Sequence, residues 1–315
     1  MSQLQVTNLE STITTANVAV GGQTTINSTG LFISSNVSVN TTSIKMSSGA
    51  SNVQIRDIVN VSSITINGTS YTSLLTETVN TQIFTANGTW TKPSWANTGN
   101  ELVTVHMWGG GGSYGGNNSL TRPGGGGAFV FGYFKASQCN ATCNVIVGSG
   151  GIPLAINATS NVGTTGGNSS FWSNTTNSLT AYGGIGGGTE YNGAGGGWLG
   201  VGLQNSVVGS LGGGPLGGSG LNPISSTFGG AAANTTAIGD SIYGGSAGAR
   251  GANGGMSIFG GAGGSIISNG GISVYGGNGG NNTIAASIPG GGAGGAGGGT
   301  GARGEVRVYT YRIVS

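Results

Sequence analysis

The chain has 315 residues, of which 71 are glycine and only 5% are charged, and its formal net charge is +2. Glycine costs about 1 kcal/mol per helical position, whereas the abundant Thr, Ser, Asn, Val and Ile favour strands and turns, so this composition argues against helices and predicts an all-β protein. The nine basic residues form no cluster that would neutralise phosphates, and no apolar run approaches the roughly 20 residues that span a membrane, so we expect no nucleic-acid binding and no membrane insertion.

Residues 1–82 contain few glycines and form the first predicted region. Four short strand-like runs, separated by turn residues, begin there at positions 17 (NVAV), 36 (NVSV), 52 (NVQI) and 63 (SITI). Each run is too short and too weakly apolar to bury a core within one chain, so we expect its partners on neighbouring subunits or stacked repeats. We predict an intertwined shaft that forms a homotrimer and attaches the protein to a larger assembly; a small independent β-domain is the alternative.

The composition changes at TQIFTANGTWTKPSW (81–95), where a phenylalanine, two tryptophans and a proline predict a strand, a turn and the entry into a packed domain. ELVTVHMW (101–108) alternates and carries apolar residues on both faces, which predicts a strand covered on both sides. Further strand-like segments follow at 126–135, 143–151, 168–172, 177–184 and 305–314. We predict that residues 83–315 form a β-sandwich-like domain whose closing strand, 305–314, pairs with the sheet begun by 84–108.

A glycine-rich insertion at about 183–304 separates the closing strand from the rest of the predicted sheet. Within it, an aromatic residue followed by Gly-Gly recurs in STFGG at 226, SIYGG at 241, SIFGG at 257 and SVYGG at 273, at spacings of 15, 16 and 16 residues. Such spacing indicates a repeated structural unit, and the six prolines and irregular glycine period exclude collagen. We expect each repeat to form two short legs of polyglycine II-type helix that hydrogen-bond laterally, with its aromatic residue in a structural role.

The ends of this domain resemble a known family. Gly88-Thr89-Trp90, Pro93, the Trp-Gly-Gly-Gly at 108–111 and the Gly-Ala-Arg-Gly at 301–304, followed by a strand, are similar to the glycine-rich domain of bacteriophage tail fibres and related viral structural proteins. The resemblance covers about 83–315. It implies a homotrimer exposed on a virion that binds a host surface polysaccharide or outer-membrane protein, with residues 1–82 contacting other tail or capsid proteins.

Enzyme chemistry is not expected. The strand and glycine-rich loop at 101–116 superficially match a dinucleotide-binding turn, but the following helix and acidic residue of that motif are missing, so we predict no cofactor. No Ser-His-Asp, Cys-His or paired-carboxylate arrangement is evident. His106, the single histidine, is expected to pack within a strand, and a metal held by one histidine from each of three chains is the alternative. Cys139 and Cys143 either form a disulfide or remain thiols.

Three aromatic residues outside the repeat register are the receptor-contact candidates: Tyr114, Tyr191 and Trp198. Exposed rings stack on sugars and anchor protein contacts; the alternative is that each ring fills a packing gap. Arg303 is expected to bond backbone carbonyls at the base of the domain.

These features together predict a phage fibre or adhesin that recognises a host by multivalent contact, with avidity from three tethered sites. A purely structural head or tail fibre is one alternative. A glycine-rich ice-binding protein is another, although the regularly spaced threonines expected of it are sparse between 241 and 280.

Overall fold

Strands make up almost all of the regular secondary structure in the described part of the chain. A computed structural model describes residues 24–27, 30–33, 64–66, 69–71, 79–97, 101–117, 120–153, 162–173, 178–188, 191–202, 213–214, 225–231, 239–295 and 299–312. They belong to two compact units, 1–62 and 63–315. The helical residues among them are the single 3-10 turn Ala136–Gln138, which confirms the all-β class. Among the described residues, no helix has the length and apolar character needed to cross a membrane.

Short hairpins are what the structure describes of the N-terminal region. In the first unit, β1 (Thr24–Asn27) pairs antiparallel with β2 (Gly30–Ile33). In the second unit, β3 (Ile64–Ile66) pairs with β4 (Thr69–Tyr71), and β3 coincides with the SITI run. The runs at 17, 36 and 52 lie outside the described residues, so the intertwined shaft stays a prediction.

Two four-stranded antiparallel sheets and a small hairpin form the rest of the regular structure. The strands are β5 (Val79–Phe84), β6 (Gly88–Thr91), β7 (Leu102–Trp108), β8 (Gly115–Asn117), β9 (Leu120–Arg122), β10 (Phe129–Lys135), β11 (Thr142–Ile146), β12 (Ser169–Trp172), β13 (Ser178–Ala181) and β14 (Glu305–Tyr311). The first sheet has the order β10-β7-β14-β5 and the second β13-β12-β11-β6, while β8 pairs with β9. The predicted pairing of the closing strand is confirmed, because β14 lies between β5 and β7. The predicted domain boundary at 82/83 falls within β5.

The core of this sandwich lies between the two sheets. On β7, alternation places Val103, Val105 and Met107 on the inner face, where each is fully buried. They share one apolar cluster with Trp90 and Phe171 of the second sheet, whose rings meet edge to face at 5.9 Å. The other face of β7 is also covered, since Trp108 is only 3% exposed. The prediction that both faces of this strand are covered is therefore confirmed.

Glycine segments continue from the ends of the sheet and form a bundle, in which the segment 124–129 is central. Its N–H groups donate to three neighbouring segments, and every third residue donates to the same one. Residues 124 and 127 donate to the segment 290–293, residues 125 and 128 to 182–185, and residues 126 and 129 to 243–246. Its carbonyls accept from three others: 124 and 127 from 261–264, 125 and 128 from 109–112, and 126 from 196. Six neighbours and a three-residue period are expected of an extended helix with three residues per turn. The polyglycine II-type geometry itself stays a prediction.

The glycines of the bundle are required by the spacing of these segments. A Cβ added at Gly126 would lie 1.9 Å from the carbonyl oxygen of Gly261, and one added at Gly127 would lie 2.2 Å from that of Gly109. Both obstacles are backbone atoms of another segment, which cannot rotate aside as a side chain can. At these two positions a residue with a side chain would therefore push the segments apart and break lateral hydrogen bonds.

Within the repeat insertion, hydrogen bonds recur every eight residues. Gly255 donates to Ala247, Gly263 to Gly255, Gly271 to Gly263 and Gly279 to Gly271. This interval divides each 16-residue repeat into two segments, which lie side by side. The sequence period thus corresponds to a layer of segments that return past one another.

Candidate functional site: an aromatic ladder

The four Ser-x-aromatic-Gly-Gly repeats stack side by side and in parallel. Parallel bridges join Ser226 to Ser241, Ser241 to Ser257 and Ser257 to Ser273. The rings of Phe228, Tyr243, Phe259 and Tyr275 stack in the same order, with centroids 5.1, 4.9 and 5.0 Å apart and planes within 8° of parallel. We call this stack the aromatic ladder, and its rungs one to four are 226–230, 241–245, 257–261 and 273–277.

The serine that opens each repeat holds neighbouring rungs together. Its hydroxyl donates to a glycine carbonyl of the previous rung: Ser241 to Gly229 at 3.0 Å, Ser257 to Gly244 at 3.0 Å and Ser273 to Gly260 at 2.7 Å. These serines are 3–8% exposed, so the bonds are shielded from water. The motif therefore needs serine for this link, the aromatic residue for the stack, and glycines for the adjoining bundle.

The middle rungs pack against the outer face of the first sheet. The ring of Phe259 stacks on Phe129 at 5.5 Å, and the ring of Tyr243 lies 5.9 Å from that of Phe131. The indole N–H of Trp108 donates to the carbonyl of Phe259 at 2.7 Å. The sheet thus fixes the position of the ladder, and the ladder buries aromatic residues that would otherwise face water.

One side and both ends of the ladder remain exposed. Phe228 in rung one is 45% exposed and Tyr275 in rung four is 60% exposed. A shallow groove of about 340 Å³ runs along the second-position residues of the rungs, lined by Ser225, Ser226, Thr227, Asp240, Ser241, Ile242, Met256, Ser257, Ile258 and Val274. The Asp240 carboxylate, the charged group of this lining, accepts a hydrogen bond from the Met256 N–H at 2.6 Å. The groove therefore offers apolar contact area rather than charge.

The structure brings one receptor-contact candidate to the ladder. The indole of Trp198 meets the rings of Phe131, Phe228 and Tyr243 edge to face, at 5.2, 5.5 and 5.9 Å, and is partly buried. Tyr191 is partly buried and Tyr114 is only 7% exposed. In this chain, then, the ring of Tyr114 presents little area to a ligand. Receptor contact by the three residues stays a prediction.

Sequence reasoning gave the repeat aromatics a structural role and missed the exposure of the terminal two. The repeat pattern could have predicted this exposure, because the first and last members of any repeat array lack one neighbour. The outward second-position side chains of the repeats were missed as well: Ile242, Ile258 and Val274 are 36%, 41% and 65% exposed. Ile242, Ile258 and Val274 line the groove together and make an apolar strip along the ladder.

The charged and titratable groups near the sheet form a separate cluster. His106 lies in β7, as predicted, with its ring edge to face with those of Phe129 and Tyr309 at 5.6 and 5.4 Å. Burial, and secondarily the positive charge of Arg307, lower the pKa of His106. The Arg307 guanidinium lies 4.9 Å above the Trp108 ring and pairs with Glu305 at 2.7 Å. This arrangement favours a neutral imidazole.

The remaining predicted chemical groups also have defined positions. Cys139 and Cys143 are buried free thiols, and the hydrogen bond between them, together with burial, raises the pKa of Cys139. Arg303 donates to the carbonyl of Gly304 at 2.8 Å, which confirms its predicted bond to the backbone. Over the part of the chain that the structure describes, no group of three His, Cys, Asp or Glu residues is placed to hold a metal ion.

Comparison with known proteins gives a family. No curated protein matches the sequence. A family model described as a glycine-rich domain matches residues 81–311, which begin within β5 and end with β14. The match thus spans the sandwich, the bundle and the ladder as one unit. Because it covers well over half of the chain, the protein belongs to this glycine-rich domain family.

Proposed function

We propose that the protein is a subunit of a bacteriophage fibre or adhesin, a structural component of the virion that recognises a host cell surface by non-covalent contact. The observation that carries this proposal is the apolar strip along the aromatic ladder, exposed on a scaffold of hydrogen-bonded segments. Large exposed apolar surfaces on soluble domains mark interaction sites. Aromatic and aliphatic side chains on a rigid support give contact area at low entropic cost.

Multivalency would supply the affinity that one strip lacks. The groove holds little charge and is shallow, so a single contact with a polysaccharide or an outer-membrane protein is expected to be weak. Three chains joined through residues 1–82 would present three strips at high effective concentration, which raises the overall affinity without new contacts. The same region would attach the trimer to other tail or capsid proteins.

Binding of the full-length protein to a panel of intact bacterial strains tests this proposal. We expect Ile258→Ser, which removes apolar area from the groove, to weaken binding to any strain that the wild type recognises. Ile267→Ser is the matched control, because Ile267 is 74% exposed and does not line the groove. Equal binding by both variants would show that the groove along the ladder does not contribute to host recognition.

A purely structural fibre is the second candidate, and the exposed terminal rungs favour it, since they also suit contact between chains. Adsorption of virions that lack the protein distinguishes the two. Normal adsorption, combined with no binding of the purified protein to cells, would leave only the structural role. A thermal-hysteresis measurement separates both from an ice-binding protein.

A further inference from the structure

Hydrogen bonds give the aromatic ladder a direction. The N–H of each second-position residue in rungs two and three donates to the serine carbonyl of the previous rung, at 3.0 Å for Ile242 and 3.2 Å for Ile258. The N–H of each aromatic residue donates to the second-position carbonyl of the previous rung, at 2.8 Å for Tyr243 and Phe259 and 2.9 Å for Tyr275. These donors therefore point towards rung one, and the carbonyls that accept from them point towards rung four. The serine N–H groups of the first three rungs donate the other way, to the residue that precedes the next rung.

Rung four ends the ladder with free acceptors. Within the described residues, the carbonyls of Ser273 and Val274 accept no hydrogen bond, although the equivalent carbonyls of the first two rungs do. In rung three the Ile258 carbonyl accepts from Tyr275, while the Ser257 carbonyl accepts none in the described part of the chain. The side chains beside them are open to solvent, since Val274 is 65% and Tyr275 60% exposed. The N–H of Ser273 is satisfied by the Asn278 side-chain oxygen at 2.8 Å, where earlier rungs use the next repeat.

Rung one ends the ladder with free donors. As far as the structure describes the chain, the N–H groups of Thr227 and Phe228 donate no hydrogen bond, although those of Ile242 and Tyr243 one rung later both do. Thr227 is exposed and so is the ring of Phe228. The two ends thus carry complementary halves of the bond pattern that joins successive rungs.

We propose that rung four of one copy docks on rung one of a second copy, so that the ladder continues head to tail from chain to chain. Thr227 and Phe228 would donate to the second copy's Ser273 and Val274 carbonyls, and the Phe228 ring would stack on the second copy's Tyr275. Such a contact joins two different surfaces of the same protein. It closes into a ring if the rotation between copies permits, and otherwise extends as a filament.

A second copy fits these ends better than an unrelated ligand does. The two N–H donors of rung one and the two carbonyl acceptors of rung four match in number, direction and spacing, because both rungs are copies of the same repeat. Neither rung contains a charged residue, so copies would not repel each other there. Unpaired strand-like edges are templates for pairing, and repeat arrays usually cover their ends with polar capping units, whereas rung four exposes Val274 and Tyr275. The contact does not depend on host recognition, because it uses only groups of this chain.

Disulfide trapping in the full-length protein tests the proposal. Thr227→Cys and Val274→Cys place one thiol at each end, and the ends are separated by three ring steps of 5.1, 4.9 and 5.0 Å within one chain. A disulfide needs Cα atoms within about 7 Å, so a bond between positions 227 and 274 can form only between copies. Oxidised glutathione serves as the oxidant: two thiols lose two electrons and two protons, and each disulfide formed yields two molecules of reduced glutathione. The native Cys139 and Cys143 are buried.

An equimolar mixture of the two single variants is expected to give covalent dimers joined through 227 and 274, as mapped by peptide mass. The double variant is expected to give longer products, ending at three chains for a closed ring of three. Adding Tyr275→Asp to the Val274→Cys chain should lower the dimer yield about tenfold, because it removes the ring stack and places a charge beside carbonyls. Ile267→Cys, exposed but off the ladder, is the control in place of Val274→Cys. Dimers of either single variant alone at equal yield, or no dimers in the mixture, would overturn the proposal.

Discussion

Replacing Gly126 by alanine is expected to destabilise the protein strongly, because the added methyl group has no space. Its carbon would lie 1.9 Å from the Gly261 carbonyl oxygen, whereas ordinary contact begins at 3.4 Å. The segment containing Gly261 would have to retreat. That same segment donates to the Gly127 carbonyl at 2.7 Å, so the retreat also breaks a lateral hydrogen bond.

The expected cost combines two contributions. Overpacking a close-packed interior costs about 1–3 kcal/mol, and each lateral hydrogen bond lost removes about 0.5–1.5 kcal/mol. With one or two bonds broken, the free energy of unfolding should fall by about 4 kcal/mol. Urea unfolding followed by tryptophan fluorescence measures this change.

Gly251→Ala is the matched control for Gly126→Ala. Gly251 is exposed, its φ lies outside the left-handed region, and no atom lies within 4 Å of an added Cβ. At such a site alanine is neutral or stabilises by about 0.4–1 kcal/mol, because it restricts the unfolded chain. Equal unfolding free energies for the two variants would refute the spacing of segments that we describe.

Four other predictions follow from the structure. Ser257→Ala should lower the free energy of unfolding by about 1–3 kcal/mol in urea unfolding, because a buried carbonyl of the previous rung loses its donor. Cys139 and Cys143 should react slowly with a thiol reagent in the native protein and rapidly in urea, because burial hides both groups and the raised pKa of Cys139 suppresses its thiolate. Stability should fall as the pH drops below about 6.5, since the lowered pKa of His106 lets the unfolded state bind more protons there, and His106→Gln should remove this part of the slope. Amides of 290–293 should exchange slowly with solvent deuterium, because each donates to a backbone carbonyl and these residues are buried.

Each of these predictions has a result that would contradict it. Ser225→Ala, at an exposed hydroxyl that accepts from the Asp240 N–H, should lower the free energy of unfolding less than Ser257→Ala does. The reverse order would show that the Ser257 hydroxyl does not stabilise the ladder. Thiols that react equally fast before and after unfolding would show them to be accessible. An unchanged pH slope in His106→Gln would assign that slope to other groups. Exchange at 290–293 as fast as in the exposed turn at 250–252 would make that segment a linker.

Local patterns in the sequence sufficed for the fold class and for several pairings. Strand propensity and the absence of helix formers predicted all-β structure. Apolar residues on both faces of 101–108 predicted a strand covered on both sides. The second sheet packs on one face of β7, and Trp108 on the other face bonds to the ladder. The closing strand was predicted because its alternation survives after a long glycine-rich stretch. These predictions succeed because side-chain periodicity reports which faces are buried.

The sequence by itself thus determined that the chain is β-structured, that its insertion repeats about every 16 residues, and that the last strand returns to the first sheet. Only the tertiary structure decided which segments neighbour 124–129, which rungs lie at the ends of the ladder, and that Tyr114 is buried while Tyr275 is exposed. The physical reason is that glycine has no side chain, so its position in the sequence does not indicate which segment packs beside it. Lateral backbone hydrogen bonds are alike for every glycine segment, so the strands and turns that anchor each segment select its six neighbours.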